Sequence, residues 1–191
     1  MPSPSDNGPS ESCPACGDIE FAFDAVVSLG AYRGPLREAV LRTKRPTHEP
    51  LSVAMGKLYF RHRGEQLSSF QPDLIVPIPM YWWRRLVRQT NSPDILAREL
   101  ARSLHIRRLG HGLCRCRNTV PQRALLPRER FRNVRGAFRL AAGFDFRNAR
   151  VVLVDDVMTT GATCDAAARL LKAAGAAMVV VAVLTRAEGD R

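Results

Sequence analysis

The stretch that most constrains this chain is Val151 to Thr163, VVLVDDVMTTGAT. Four apolar residues run into two adjacent acids, then into a Thr- and Gly-rich turn, then into an Ala-rich segment, Cys164 to Ala174, of helical composition. A short unbroken apolar run marks a strand covered on both faces, the habit of parallel sheets. In open α/β sheets ligands bind beyond the carboxyl ends of such strands, where Asp155 and Asp156 fall. The turn then supplies hydroxyls, small residues and backbone N–H groups at a helix start, which together receive a phosphate. An anionic surface beside an anion-receiving one suits a phosphorylated sugar, held through its hydroxyls and its phosphate. Weaker readings exist for each half: a magnesium-holding acid pair in another nucleotide-binding fold, or a plain Thr helix cap. Both halves in this order and without a gap favour the sugar-phosphate site.

The rest of the chain alternates between strand and helix signals. Strands are expected at Asp24–Leu29, Leu74–Ile78, Ala137–Leu140 and Met178–Leu184, and helices at Leu36–Thr43, from Pro50 to about Arg63, and at Ser92–Leu104. This pattern predicts an α/β fold, a three-layer domain around a mainly parallel sheet. Residues 1–23 read as a flexible tail, rich in Pro, Ser and Gly at its start, and residues 24–191 as one domain. The segment Arg117 to Phe138, RNTVPQRALLPRERFRNVRGAF, mixes Pro, Gln and recurring Arg and reads as a mobile loop.

Charge is unevenly placed. Between Arg84 and Arg139 lie 15 arginines, no lysine and three acids, a net +12, whereas the remainder of the chain sums to −1. Arginine outnumbers lysine 26 to 3 overall, and its planar fork suits phosphate and pyrophosphate. The stretch fits a polyanion, whether pyrophosphate, nucleic acid or both, or else a solvated face. Pro77, Pro79 and the pair Arg84 and Arg85 follow a buried strand, as a Pro-stiffened turn that carries positive charge. Trp82 and Trp83 pack into a core or interface, or stack on a base. No apolar run spans a bilayer, the N-terminus lacks a signal-peptide pattern, and five cysteines form no even framework, so a cytoplasmic protein without membrane insertion is expected. Cys13-Pro14-Ala15-Cys16-Gly17 is half of a zinc knuckle; Cys114 and Cys116 are distant and differently spaced, so a resident zinc is not expected. Cys164, at a helix start, is either a low-pKa thiol or a small buried residue.

The signature closely resembles that of type I phosphoribosyltransferases. The resemblance implies that Asp155 and Asp156 address the ribose hydroxyls, directly or through magnesium, and that Thr159, Thr160, Gly161, Ala162 and Thr163 wrap the ribose 5-phosphate of phosphoribosyl pyrophosphate. It also implies that the segment with Arg84, Arg85 and Arg88, helped by Arg117 and Arg130, receives pyrophosphate. Within that fold the chain is similar to the ComF family of competence-associated proteins. The family's pattern is matched by Arg117, Thr119, Gln122, Leu125, Arg130, Asn133 and Gly136-Ala137-Phe138, and its Tyr-x-Gly-x-Leu-Arg stretch by Tyr32 to Arg37. Two departures stand out. Arg88-Gln89-Thr90-Asn91-Ser92 replaces the usual Arg-Gly-Phe-Asn-Gln, and only half of the family's four-cysteine zinc ribbon remains. The resemblance implies a magnesium-dependent glycosyltransferase of unknown acceptor. Two alternatives stay open: an accessory in single-stranded DNA uptake, or a sensor of phosphoribosyl pyrophosphate. A homodimer is left open as well.

Overall fold

The computed structural model describes residues 19–45, 48–80, 91–120 and 125–187. Twelve elements follow in chain order: β1 (Ala25–Ala31), α1 (Gly34–Thr43), α2 (Glu49–Ser68), β2 (Leu74–Pro77), α3 (Ser92–Leu104), β3 (Arg107–Arg108), β4 (Leu113–Arg115), α4 (Pro127–Val134), β5 (Phe138–Leu140), β6 (Arg150–Met158), α5 (Ala162–Ala173) and β7 (Met178–Arg186). Five strands form one sheet in the order β1-β7-β6-β2-β3, and every pairing in it is parallel. Strands β4 and β5 make a separate antiparallel pair.

The alternation of side chains along β6 explains why its apolar run is unbroken. Val151 and Leu153 join a cluster with Cys164, Ala167, Ala168 and Leu171 of α5, to which Leu113, Phe138 and Phe146 also belong. Val152 and Val154 face the other way, into a cluster with Val40, Met55, Tyr59, Leu96 and Leu100 of α1, α2 and α3. Helices therefore cover both faces, giving the three layers expected of a type I phosphoribosyltransferase fold. Tyr59 is fully buried and its hydroxyl donates to Val27 O at 2.9 Å, which ties α2 to β1. Burial pushes that phenol far above its ordinary range, so it stays a neutral donor.

The chain reverses direction in the sheet between β2 and β6. From β2 it moves outward to β3; from β6 it moves the opposite way to β7. The loops leaving the carboxyl ends of these neighbours part there, which opens the crevice where α/β sheets bind ligands. The two strands also end at different heights. β2 pairs with β6 only as far as Pro77 opposite Val154, with one more bond from Ile78 N–H to Val154 O at 2.8 Å. Pro79 has no N–H to continue the ladder. On the other side, β6 stays paired with β7 through Met158 opposite Arg186. The strand thus runs through the two acids rather than stopping before them.

Two expectations change. The stretch read as a mobile loop holds a helix, α4, which starts at Pro127 and whose Glu129 Oε2 accepts Leu126 N–H at 3.0 Å. Its arginines hid a small apolar face, Val134 buried and Phe131 packed at 6.2 Å from Phe21. In addition, packing begins before β1. Phe21 stacks on Phe23 at 4.7 Å, Ala22 N–H donates to Asp165 Oδ1 at 2.8 Å, and Asp24 accepts Val179 N–H at 2.6 Å and pairs with Lys172 at 2.8 Å. Residues 19–24 form a strap along α5.

Candidate functional site

Asp155 and Asp156 stand on β6 just beyond the last residue that β2 covers. Asp156 meets Lys44 at the end of α1, and Asp155 lies near Cys164 of α5. Asp155 Oδ1 accepts the N–H of Asp156 at 2.8 Å. Burial, and next the neighbouring charge of Asp156, push the Asp155 carboxyl up to about 8, against some relief from that N–H and from Lys44. Asp156, 16% exposed, is met by the Lys44 ammonium at 3.2 Å. Lys44, at the end of α1, is a site residue that the sequence reading missed. A rare Lys in an Arg-rich chain, one of three and just after the Tyr32–Arg37 stretch, was the available signal.

The start of α5 is built unlike the starts of the other described helices. α1, α2, α3 and α4 each carry Pro in their first turn, a residue that fits there because it gives up an N–H. α5 has none and keeps every first-turn amide. Its N-cap is Gly161, at φ 79°, a left-handed conformation that glycine adopts without penalty. Glycine brings no side chain to cap the first-turn amides, which have no acceptor within the helix. Those amides and the helix dipole form an anion-receiving end. Thr159 is exposed, Thr160 and Thr163 are half-buried, and Ala162 is buried. A side chain on Gly161 would strike Phe21 of the strap, whose ring carbon lies 2.9 Å from where a Cβ would stand.

The structure therefore brings Asp155, Asp156 and the Thr159–Thr163 turn to one end of β6, with Lys44 added. Arg84, Arg85, Arg88, Trp82 and Trp83 lie outside the described residues. That segment joins Met80, past the end of β2, to Asn91, the N-cap of α3. Arg117 and Arg130 are placed, and both guanidiniums are engaged with main chain. Arg117 donates to the carbonyls of Asn133 and Arg135 at 3.0 and 2.7 Å, and Arg130 Nε donates to Leu125 O at 3.1 Å. Asn133 clamps Val120 through both its N–H and its C=O. The family-type residues Arg117 and Asn133 thus fasten the turn before α4 to that helix's far end.

Cys13 and Cys16 lie outside the described residues. Cys114 is half-buried in β4 and Cys116 exposed beyond it, its thiol near the carbonyls of Gly136 and Ala137. Cys164 is buried, and burial together with the nearby acids pushes its thiol well above the ordinary range, so it is no activated nucleophile. Among the described residues no three His, Cys, Asp or Glu side chains assemble as a metal cage, and no helix is long and apolar enough to cross a membrane.

Residues 95–191 match the phosphoribosyl transferase domain family. Competence protein F of Haemophilus influenzae is 32% identical over 182 residues, covering 93% of this chain and 80% of that protein. DNA utilization protein YhgH of Escherichia coli K12 is 33% identical over 181 residues, covering 91% and 77%. Among solved structures, the chain is similar to a purine phosphoribosyltransferase from Pyrococcus horikoshii, with 18% identity, 85% and 79% coverage and a TM-score of 0.41. On the family match and the two relatives, the chain belongs to the ComF family of phosphoribosyltransferase-domain proteins.

Proposed function

We propose that this protein binds phosphoribosyl pyrophosphate and transfers its phosphoribosyl group with loss of pyrophosphate. The observation that carries this reading is the placement of an acid pair and an uncapped, proline-free helix start at one topological switch point. In this reading Asp155 and Asp156 accept hydrogen bonds from the two ribose hydroxyls. The amides at the start of α5, with the hydroxyls of Thr159, Thr160 and Thr163, hold the 5-phosphate. Arg84, Arg85 and Arg88 bring positive charge to the segment after β2, where pyrophosphate departs. As the anomeric C–O bond breaks, positive charge grows on the ribose and negative charge on pyrophosphate. The oxygens of Asp155 and Asp156 then face the first and the guanidiniums the second. The acceptor donates an electron pair to the anomeric carbon and gives up a proton.

Magnesium takes much of its shell from substrate phosphates and water, so in this site the pyrophosphate arm would hold it, with Asp155 and Asp156 left to the ribose. When bound, the ion would neutralise pyrophosphate and make it a better leaving group.

Calorimetry tests the reading. Wild-type protein is expected to bind phosphoribosyl pyrophosphate in the presence of magnesium, and the double variant Asp155→Asn, Asp156→Asn to lose that binding while keeping its circular dichroism. Unchanged affinity in the folded double variant would remove the reading.

A second reading, handling of single-stranded DNA, draws support from the competence and DNA-utilization names of the relatives. It also draws on Arg107, Arg132, Arg135 and Arg139, which are exposed and outside any ion pair among the described residues. Basic side chains of this kind neutralise backbone phosphates without reading sequence.

A further inference from the structure

Lys44 is one of three lysines in a chain with 26 arginines, and its ammonium reaches Asp156 Oδ2 at 3.2 Å. Its side chain is 31% exposed and that of Asp156 16%, so the pair is not a loose surface contact. The backbone that carries it is fastened on two sides. Thr43, fully buried, donates from Oγ1 to Val40 O at 2.8 Å and accepts from Ser92 Oγ at 3.2 Å. The end of α1 is thereby joined to the first residue of α3, across the crevice end of the helical layer. A cation at the carboxyl end of α1 also complements that helix's dipole. Anchoring the stem lowers the entropy lost when a long side chain is held in one geometry.

The residue type matters. An arginine fork would engage a carboxylate with two parallel bonds and cover both oxygens. A lysine is a point charge on a flexible stem, and here it approaches Asp156 at Oδ2, 3.2 Å away.

We propose that Lys44 is a positioning residue for sugar recognition: it holds the Asp156 carboxyl group where a ribose hydroxyl can donate to it. The acid pair then engages the sugar diol without a divalent cation, and any magnesium requirement belongs to the pyrophosphate arm of the substrate. This rests on the reading of the site as one for a ribose phosphate.

The experiment compares ribose 5-phosphate and inorganic phosphate by calorimetry, in EDTA and in magnesium, for wild type, Lys44→Met and Lys44→Arg. Wild type is expected to bind ribose 5-phosphate in EDTA. Lys44→Met is expected to weaken that binding by about tenfold, the effect of one charge-assisted hydrogen bond. Its affinity for inorganic phosphate should stay at the wild-type value, because the amides of α5 do not depend on Lys44. Lys44→Arg should recover the charge and part of the affinity. A general folding defect would weaken both ligands together and leave a visible change in circular dichroism. Two results overturn the proposal alone: Lys44→Met binding ribose 5-phosphate as wild type does, or wild type binding it only with magnesium. A wild type that binds neither ribose 5-phosphate nor phosphoribosyl pyrophosphate under any condition overturns the site reading itself.

Discussion

Gly161 carries two demands at once: a left-handed backbone at φ 79°, and contact with Phe21 on the side where a Cβ would stand. Alanine there would hold an unfavourable conformation at a cost of roughly 1–2 kcal/mol, and would displace the Phe21 ring as well. Gly161→Ala should therefore lower stability by at least that amount in a urea melt and weaken phosphate binding through the distorted turn. A variant as stable as wild type would mean that the turn does not take this shape. Asp155 makes a prediction of a different kind. The folded chain holds the Asp155 proton up to about pH 8, whereas an unperturbed carboxyl ionises near 3.8. Stability drawn from this position is thus complete at low pH and declines as pH rises through that window. Asn keeps the oxygen that accepts Asp156 N–H and carries no charge to bury. In EDTA, Asp155→Asn should match the wild-type melting temperature near pH 4 and exceed it increasingly up to pH 8. A difference independent of pH would show that Asp155 does not hold its proton in this way.

At the scale of elements, the strap of residues 19–24 and helix α5 depend on each other through Asp165, which is 5% exposed. Its carboxylate accepts Ala22 N–H at 2.8 Å and Arg169 Nε at 2.9 Å, and Arg169 in turn reaches Glu20 O. Hydrogen bonds to a charged group are each worth about 1.5–3 kcal/mol. Asp165→Ala should lower the melting temperature by several degrees and speed chymotryptic cleavage at Phe21 and Phe23. Asp165→Asn, which retains one acceptor oxygen, should fall between; equal cleavage of all three proteins would rule the strap out. The strap also marks what sequence could convey. Val151–Val154 was legible as a doubly covered strand because its apolar run has no polar interruption, and α3 was legible because Pro93 opens it and an apolar stripe follows. The two acids and the Thr-Gly turn were legible because adjacency in sequence became adjacency in space. Lys44 was not, since 112 residues separate it from Asp156 and the contact exists only once α1 lies beside β6. Helix α4 was hidden because four of its eight residues are charged, so its apolar face is only Phe131 and Val134. The strap was hidden because its links to α5 at Ala22 N–H and Glu20 O are main-chain, and Phe131 and Lys172, which meet Phe21 and Asp24, lie more than a hundred residues away.

For the whole molecule, a net charge of +11 sets the long-range behaviour, but the structure divides the arginines that produce it. Arg108 is paired with Asp94, Arg98 approaches Asp94 and Glu49, and Arg102 holds Glu99 at 2.8 Å. These guanidiniums are partly neutralised where they stand. Arg107 on β3 and Arg139 on β5 are exposed and in no ion pair among the described residues, so they remain available to a polyanion. If single-stranded DNA is a ligand, its affinity should fall linearly on a log–log plot against salt, with a slope of about 0.7 per phosphate neutralised. Replacing Arg107 and Arg139 together by Gln should then reduce that slope by about 1.4, and by the same amount for oligonucleotides of unrelated sequence. Arg42→Gln, in the outlying pair with Glu38, serves as the comparison and should leave the slope nearly unchanged. Affinity for phosphoribosyl pyrophosphate should not move in the Arg107, Arg139 variant, because neither residue belongs to the acid pair or the α5 turn. Loss of both activities together would place the DNA on the sugar-phosphate site itself. A wild-type affinity indifferent to salt would remove the basic stretch from DNA handling and leave its charge to pyrophosphate and solvent.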